Sequence, residues 1–381
     1  VHTVAVVGGG LLGCVSALLA ARDGHRVQLL EREDQLFTGA SANNEGKIHL
    51  GPTFALADPA THEVMLGSAL VFAEIVEDAL EAPVDWEDLA GDTFDYLVMP
   101  DSLLSPHGLA QVYRSINGNL PTSARYLGRP ITRVVDPTAR RDIDTGLTAF
   151  RTEERSIDVR RLGELLSRAV AAHPRIEITT GTPVVRLHPV GSAVDVVLPD
   201  RVERVDAAIN CAWDQQSVLV PDERRMLNFR VKAALRLTPW PGSRTVTLVQ
   251  GPYGDVVTHQ DHVYASWYPV GRLSNEMAVT PSTAAMESVV SARQIPELGD
   301  AQVRALQDIG LVPEAVHIEE ILAGFILGHG DLDIDSPESL LHTRGVFGVD
   351  RLGMIFTPRN FKLSSAPRAA QRAVAAVGAA L

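Results

Sequence analysis

The stretch TVAVVGGGLLGCVSALLAARDGHRVQLLERE, Thr3–Glu33, decides how the chain is read. Thr3–Val7 is a short, largely apolar run that ends on glycine, the pattern of a buried strand. Gly8, Gly10 and Gly13 then spell G-x-G-x-x-G. Leu11, Val15, Leu18 and Leu19 follow at i, i+4, i+7 and i+8, which predicts a helix with one apolar face, and Gly24 stands where a helix stop is expected. Arg26–Leu30 reads as a second strand that delivers Glu31 at its end. Strand, glycine turn, helix and strand form a βαβ unit, the setting in which this glycine pattern signals dinucleotide binding. Gly8 permits the tight turn, Gly10 lets a pyrophosphate approach the backbone, and Gly13 lets the helix sit close to the strand. The first helical turn, at Leu12, offers N–H groups and a positive dipole to phosphate. Glu31 is placed to accept hydrogen bonds from a ribose. Its charge disfavours a 2′-phosphate, although Arg32 beside it pulls the other way.

At 381 residues the chain exceeds one ordinary core, so two domains are expected. Apolar residues make up 45% and charged residues 21%, a globular composition. The net charge of −13 argues against a nucleic-acid partner. Cys14 and Cys211 are too few for a disulfide framework and suit a reducing compartment. Both read as packing residues, and no histidine or cysteine spacing suggests a metal. The chain starts directly on a strand, and its longest apolar run, Leu11–Ala21, is too short to span a bilayer. A cytoplasmic protein with neither membrane nor nucleic-acid partners is expected.

Downstream, the further βαβ units of a nicotinamide dehydrogenase do not follow. A helix is predicted over Pro59–Leu80, then irregular sequence to about Arg133. In SIDVRRLGELLSRAVAAHP, Val159, Leu162, Leu165, Leu166, Ala169 and Val170 share a helical face behind an Asp158 N-cap. Short strands are read at IEITTG, PVVRLHP, AVDVVL and VDAAINC. FRVKAALRL alternates, with Phe229, Val231, Ala233, Leu235 and Leu237 on one side and Arg230, Lys232 and Arg236 on the other, which predicts a half-exposed antiparallel strand. TVTLVQ, DVVTH, VYASWYP and VHIEEILAGFIL extend that sheet, with helical sequence at about 283–309. Strand, loop and helix complete the C-terminal part.

The second informative stretch is GASANNEGKIHLG, Gly39–Gly51. Its small residues would let backbone lie against a planar ring, which favours a flavin over a nicotinamide. Taken with VVGGGLLG…VQLLERE, SIDVRRLGELL, AAINCAW and FKLSSAPRAA, it resembles the D-amino-acid-oxidase-like family of FAD-dependent oxidoreductases, which includes sarcosine and glycine oxidases. The resemblance implies an α/β fold in which a Rossmann-like FAD-binding domain (1–80, 150–225 and 340–381) is interrupted by an antiparallel-sheet α+β substrate domain (81–149 and 226–339). It implies FAD contacts from Gly8, Gly10, Leu12, Gly13, Glu31, Arg32, Ser41, Asn44, Glu45, Gly46, Val185, Cys211, Ala212, Arg359, Asn360, Phe361, Lys362 and Leu363. Sarcosine oxidases attach their flavin through a cysteine in the C-terminal third; this chain has none after Cys211, so non-covalent FAD is implied.

The resemblance also divides the substrate question. FKLSS is similar to the segment whose lysine binds the substrate carboxylate in sarcosine oxidases, a role that falls to Lys362. EGKIHLG is similar to a segment of L-2-hydroxyglutarate dehydrogenases, which carry a histidine where His49 stands. Lys47 falls where sarcosine oxidases set a basic residue against the flavin. The expectation is oxidation of a C–N bond in an amine or amino acid, with hydride transfer to flavin N5 and O2 as acceptor. The alternative is 2-hydroxy-acid oxidation with His49 taking the hydroxyl proton. The expected substrate is a small molecule, carboxylate-bearing or a biosynthetic intermediate. Arg230, Lys232, His259, Trp267 and Tyr268 are candidates for its wall. The helical sequence near 283–309 could widen or cover the site. A flavin scaffold without its own substrate is disfavoured because no cysteine cluster or docking tail is present.

Overall fold

Residues 1–220, 225–360 and 362–381 are described in a computed structural model of the chain. The expected βαβ opening is present as β1 (Thr3–Val7), α1 (Leu11–Arg22) and β2 (Arg26–Leu30). β1 pairs in parallel with β2 on one side and with strand Ala207–Asn210 on the other. The six-stranded sheet runs Gly348–Leu352, Ile355–Arg359, Ala207–Asn210, β1, β2, Ile176–Thr179, and only its first pair is antiparallel.

Helix α1 departs from the one-faced helix expected of it. Ten of its twelve residues are buried, because it lies between the sheet and helices Pro59–Leu80, Val159–Ala172 and Ala366–Gly378. A helix covered on all sides needs no polar face. Gly24 takes φ +92°, which a side chain would strain.

Helix Pro59–Leu80 is capped by Asp58, whose carboxylate accepts from Thr61 N. Asp158 caps Val159–Ala172 by accepting from Arg160 N and Arg161 N at 3.0 and 3.1 Å. Asp158→Ala is therefore expected to lower stability by about 1 kcal/mol. Equal urea midpoints for variant and parent would contradict that.

The second large sheet has nine strands. Eight run in the order Arg272–Ala278, Leu227–Leu237, Val263–Trp267, Gly254–Thr258, Val246–Val249, Ala90–Val98, Thr148–Ile157, Arg140–Arg141, and Ile318–Gly328 also pairs with Leu227–Leu237. Strand Thr148–Ile157 crosses the expected domain boundary at 150 and lies in this sheet. Strand Ala90–Val98 and helix Pro106–Gly118 occupy the region expected to be irregular.

The half-exposed reading of Leu227–Leu237 is corrected. Phe229, Val231 and Leu235 are buried as expected, but Arg230 is only 3% exposed. On its polar side Arg230 and Lys232 meet a cavity instead of bulk water, while Arg236 pairs with Asp261 and Glu319 nearer the surface. Helix Pro296–Asp308 closes the opposite face, where Val303 and Leu306 join Leu235 and Ala233 in a core. Among the described residues, no helix is long and apolar enough to cross a membrane.

Candidate active site

One cavity of about 910 Å³ runs from the glycine turn to the buried face of the nine-stranded sheet. That is the upper part of the range for small-molecule and cofactor sites, ~300–1,000 Å³. At the glycine end, Gly8 (φ +103°), Gly10, Leu12 and Glu31 line it, with Cys211 and Ala212 beside Gly8. A Cβ on Gly10 would lie 2.9 Å from Ser41 Oγ. Ser41 Oγ in turn accepts from Leu11 N at 3.0 Å, so this loop caps the first turn of α1.

Glu31 accepts from Gly9 N at 2.6 Å and Glu33 N at 2.9 Å, and it lines the cavity as expected. Arg32 lines the cavity beside it, with its guanidinium already paired. It forks onto Asp214 at 2.9 and 3.1 Å, and despite the cost of burial the Asp214 carboxylate raises its pKa. Asp214 was not foreseen. It follows Trp213, held at φ +45°, in the turn after Asn210, where the sequence gives no recurring pattern to read. A guanidinium already paired is poorly disposed to take a 2′-phosphate.

The segment Gly39–Gly51 forms the middle of the wall. Asn44 organises it: its amide donates to Ala40 O and Ser41 O and accepts from Gly46 N. Gly46 itself does not line the cavity. It turns the chain at φ +71°, and a Cβ there would lie 2.0 Å from Ile157 O. From this turn the chain runs beside Thr148–Ile157, with Lys47 bridged to Ser156 and Ile48 N bonded to Arg155 O. Glu154 completes the seat, accepting from Leu50 N, Gly51 N and Tyr96 OH. Burial raises its pKa, with Lys47 and these donors opposing.

That seating aims Lys47 and His49 inward. Lys47, 3% exposed, donates to Thr247 Oγ1, lies 3.4 Å from Asp255 Oδ1, and stands 3.9 Å above the Phe94 ring. It is not the solvated loop lysine its sequence position allows. Burial disfavours the Asp255 anion, but Lys47 and Lys232 together hold its pKa below the usual range. His49 packs edge-on to Phe54, its Nε2 3.9 Å from Glu45 Oε1, and its buried Nδ1 has no partner among the described residues. Burial, then Lys362, Lys47 and Arg344, push its pKa well below the ordinary 6.5, so it is neutral at pH 7.

Lys362, Leu363 and Asn360 reach the cavity from the loop before the C-terminal helix. Burial, and the nearby Arg344, Lys232 and Arg230, lower the pKa of Lys362 to about 8, with Glu45 opposing. Phe361 lies outside the described residues. Two expected contacts fall elsewhere. Arg359 points away from the cavity, where Asp350 pairs with it at 2.8 Å. Val185 is 54% exposed while its neighbour Val184 lines the wall, as strand-like alternation dictates. Gly13 sits behind the turn, in the packing role read for it.

Of the proposed wall residues, Arg230, Lys232 and Tyr268 line the cavity; His259 and Trp267 do not. Arg344, Tyr264 and Asp255 line it without having been foreseen, and Arg344 follows a short turn with no periodic signal. Met286, Val289 and Val290 of helix Thr283–Ala292, with Arg293 at its C-cap, contribute one edge. Among the described residues, the one cluster of possible metal ligands is Asp158, Asp261 and His262. It lies apart from this cavity, and its carboxylates are engaged by helix N–H groups, Arg236 and His262.

The sequence model of a family described as FAD dependent oxidoreductase matches residues 3–322. Glycine oxidase from Geobacillus kaustophilus superposes with a TM-score of 0.67 at 15% identity, covering 99% of this chain and 95% of that one. L-amino acid deaminase from Proteus vulgaris gives 0.69 at 13% identity, covering 99% and 94%. At such identities these structures show a shared fold. The FAD-dependent monooxygenase kojA of Aspergillus flavus is 43% identical over 51 residues, 13% of this chain and 12% of that protein. The matched stretch thus spans about an eighth of that relative's length.

Proposed function

The chain belongs to the FAD dependent oxidoreductase family, and from that premise we propose that it oxidises a carbon–nitrogen bond in a carboxylate-bearing amine, with O2 as acceptor. The glycine end suits FAD. A Cβ on Gly8 would meet Cys211 O at 2.6 Å, so the tight turn requires glycine there, and the turn it makes presents the Gly10 backbone to the cavity, where a pyrophosphate can approach. In this reading Gly8, Gly10, Leu12 and Ser41 hold the phosphates, and Glu31 takes the ribose. Asn44, Glu45, Cys211, Ala212, Asn360 and Leu363 flank the rest, and the cavity's other end receives the substrate.

Bound flavin supplies acceptance of two electrons and a proton from carbon. The residues supply the charge pattern. Lys362 stands ready for a substrate carboxylate. The surrounding cations disfavour an ammonium group, so the amine binds neutral with its lone pair free. A neutral amine needs no further base to be oxidised; an alcohol does.

The observation that carries this choice is His49. Burial and its cationic neighbours strip it of basicity, and Asp255 is held anionic by two lysines. Neither is disposed to accept a hydroxyl proton. The test is anaerobic mixing of the holoenzyme with amino acids, secondary amines and 2-hydroxy acids while the visible flavin absorbance is followed. Amines are expected to bleach it, and air to restore it with release of hydrogen peroxide. Bleaching by hydroxy acids alone would overturn the reading and place His49 at the centre of the chemistry.

A further inference from the structure

The substrate end of the cavity is more cationic than one carboxylate requires. Arg230 and Arg344 are 3% and 7% exposed, both line the cavity, and each has an Nε–H without a partner among the described residues. Arg344 donates through Nη1 to Leu341 O and Thr343 O, and no carboxylate pairs with it among the described residues. Arg230 reaches Tyr268 OH at 3.2 Å. Its nearest carboxylate, Asp333 at 4.0 Å, is already engaged by Arg272 and by Tyr268 OH. Lys362 Nζ and Arg344 Cζ each lie 5.7 Å from the Phe54 ring centroid, so the ammonium and this guanidinium flank one ring.

The carboxylates on this wall do not balance these charges. Asp255 serves Lys47 and Lys232. Glu45 is the anion that acts on Lys362. A buried guanidinium left without an anion is strongly unfavourable, and a planar fork with unused N–H groups matches a carboxylate. One carboxylate at Lys362 would leave Arg344 unanswered and Arg230 with only a share of Asp333 at 4.0 Å.

We propose that the site is built for an amino dicarboxylate: one carboxylate held by Lys362, and a second, on the substrate's other arm, held by Arg344 and Arg230. This rests on the reading of the cavity as the substrate pocket. Burial, and then repulsion from Arg230, lowers the Arg344 pKa to about 9. An arriving second carboxylate relieves that repulsion. A monocarboxylic amino acid leaves it in place.

Binding separates this idea from the reaction. The holoenzyme is titrated with succinate and glutarate, and with acetate and propionate, following perturbation of the flavin spectrum. The dicarboxylates are expected to bind roughly 10- to 100-fold more tightly. Arg344→Gln should remove most of that advantage while changing acetate affinity by less than about 3-fold, and Arg230→Lys should weaken it without abolishing it. Equal affinities for mono- and dicarboxylates in the parent protein overturn the proposal whatever the variants do. So does an advantage that survives Arg344→Gln. If dicarboxylates bind tightly but only hydroxy acids bleach the flavin, the amine reading fails and the two-carboxylate pocket stands, with a hydroxy dicarboxylate as its substrate. If monocarboxylic amino acids bleach it as readily as dicarboxylic ones, the amine reading stands and this one fails.

Discussion

Lys362→Met is expected to lower kcat/KM for a carboxylate-bearing amine by about 10²- to 10³-fold while making the protein more resistant to heat. The loss follows from removing a charge-assisted contact in a site shielded from bulk water, where such bonds count most. The gain follows from the same charge. A free lysine titrates at about 10.4, whereas burial and three nearby cations hold Lys362 near 8. Below pH 8 the folded protein therefore carries an ammonium that the unfolded chain accommodates better. That penalty is roughly 2–3 kcal/mol, allowing for water that reaches the cavity.

The sign with pH follows from proton counting. Between pH 8 and about 10.4 the unfolded chain binds more protons at this site than the folded one, so parent stability rises with pH across that interval. The penalty is complete below 8 and gone above about 10.4. The advantage of Lys362→Met should accordingly be largest at pH 7 and vanish near pH 10. Catalysis responds differently, because only the ammonium holds a carboxylate while only the neutral amine reacts: kcat/KM of the parent rises with pH up to about 8 and levels off there, as loss of the Lys362 charge offsets the gain in neutral amine. Thermal melts of both proteins at pH 7 and pH 10, with a kcat/KM profile, check all three statements. A variant less stable at pH 7 with unchanged kcat/KM would place Lys362 in a structural role.

The opening of the chain was legible because its signals agree with one another. Strand, glycine turn, helix and acidic strand end all point to one unit, and tertiary packing altered only the single apolar face expected of α1, which is buried nearly all round. Asp158 was legible for the same reason, a capping residue directly before a clean helical period. What stayed hidden has identifiable causes. Arg230 and Lys232 occupy the polar side of a perfect alternation, and period two reads the same whether that side meets water or a cavity. Strand Ala90–Val98 alternates only weakly, since its residues from Tyr96 to Val98 are buried on both faces. Helix Pro106–Gly118 begins on a Ser105 cap with Pro106 in its first turn. Gly108 and Gly118, both poor helix formers, obscured it. Arg344 and Asp214 sit in turns, where position depends on distant packing. The local segment around Lys47 could be seen as functional from its small and ionisable residues, but its partner Asp255 comes from another strand 208 residues away.

The glycine motif offers the second large effect, and its three positions are expected to fail differently. A Cβ on Gly13 would lie 1.7 Å from Gly8 O, a backbone atom that cannot move without opening the turn between β1 and α1. Since α1 is buried on every side, shifting it disturbs the sheet and three helices at once. Gly13→Ala should therefore cost several kcal/mol, the range of severe core overpacking and strain, and yield little folded protein. A Cβ on Gly10 meets only Ser41 Oγ, at 2.9 Å, and a serine side chain can rotate. Gly10→Ala should fold close to the parent but bind FAD roughly 10-fold or more weakly, since the added methyl stands where the pyrophosphate approaches. Gly8 combines both problems: its φ of +103° strains any side chain, and Cys211 O lies 2.6 Å from the new Cβ. Circular dichroism of the apoproteins and FAD titration of each separate fold from cofactor. A Gly13→Ala protein that folds and binds FAD like the parent would mean that α1 and β1 can separate freely, and the glycine end would then lose its rigid cradle.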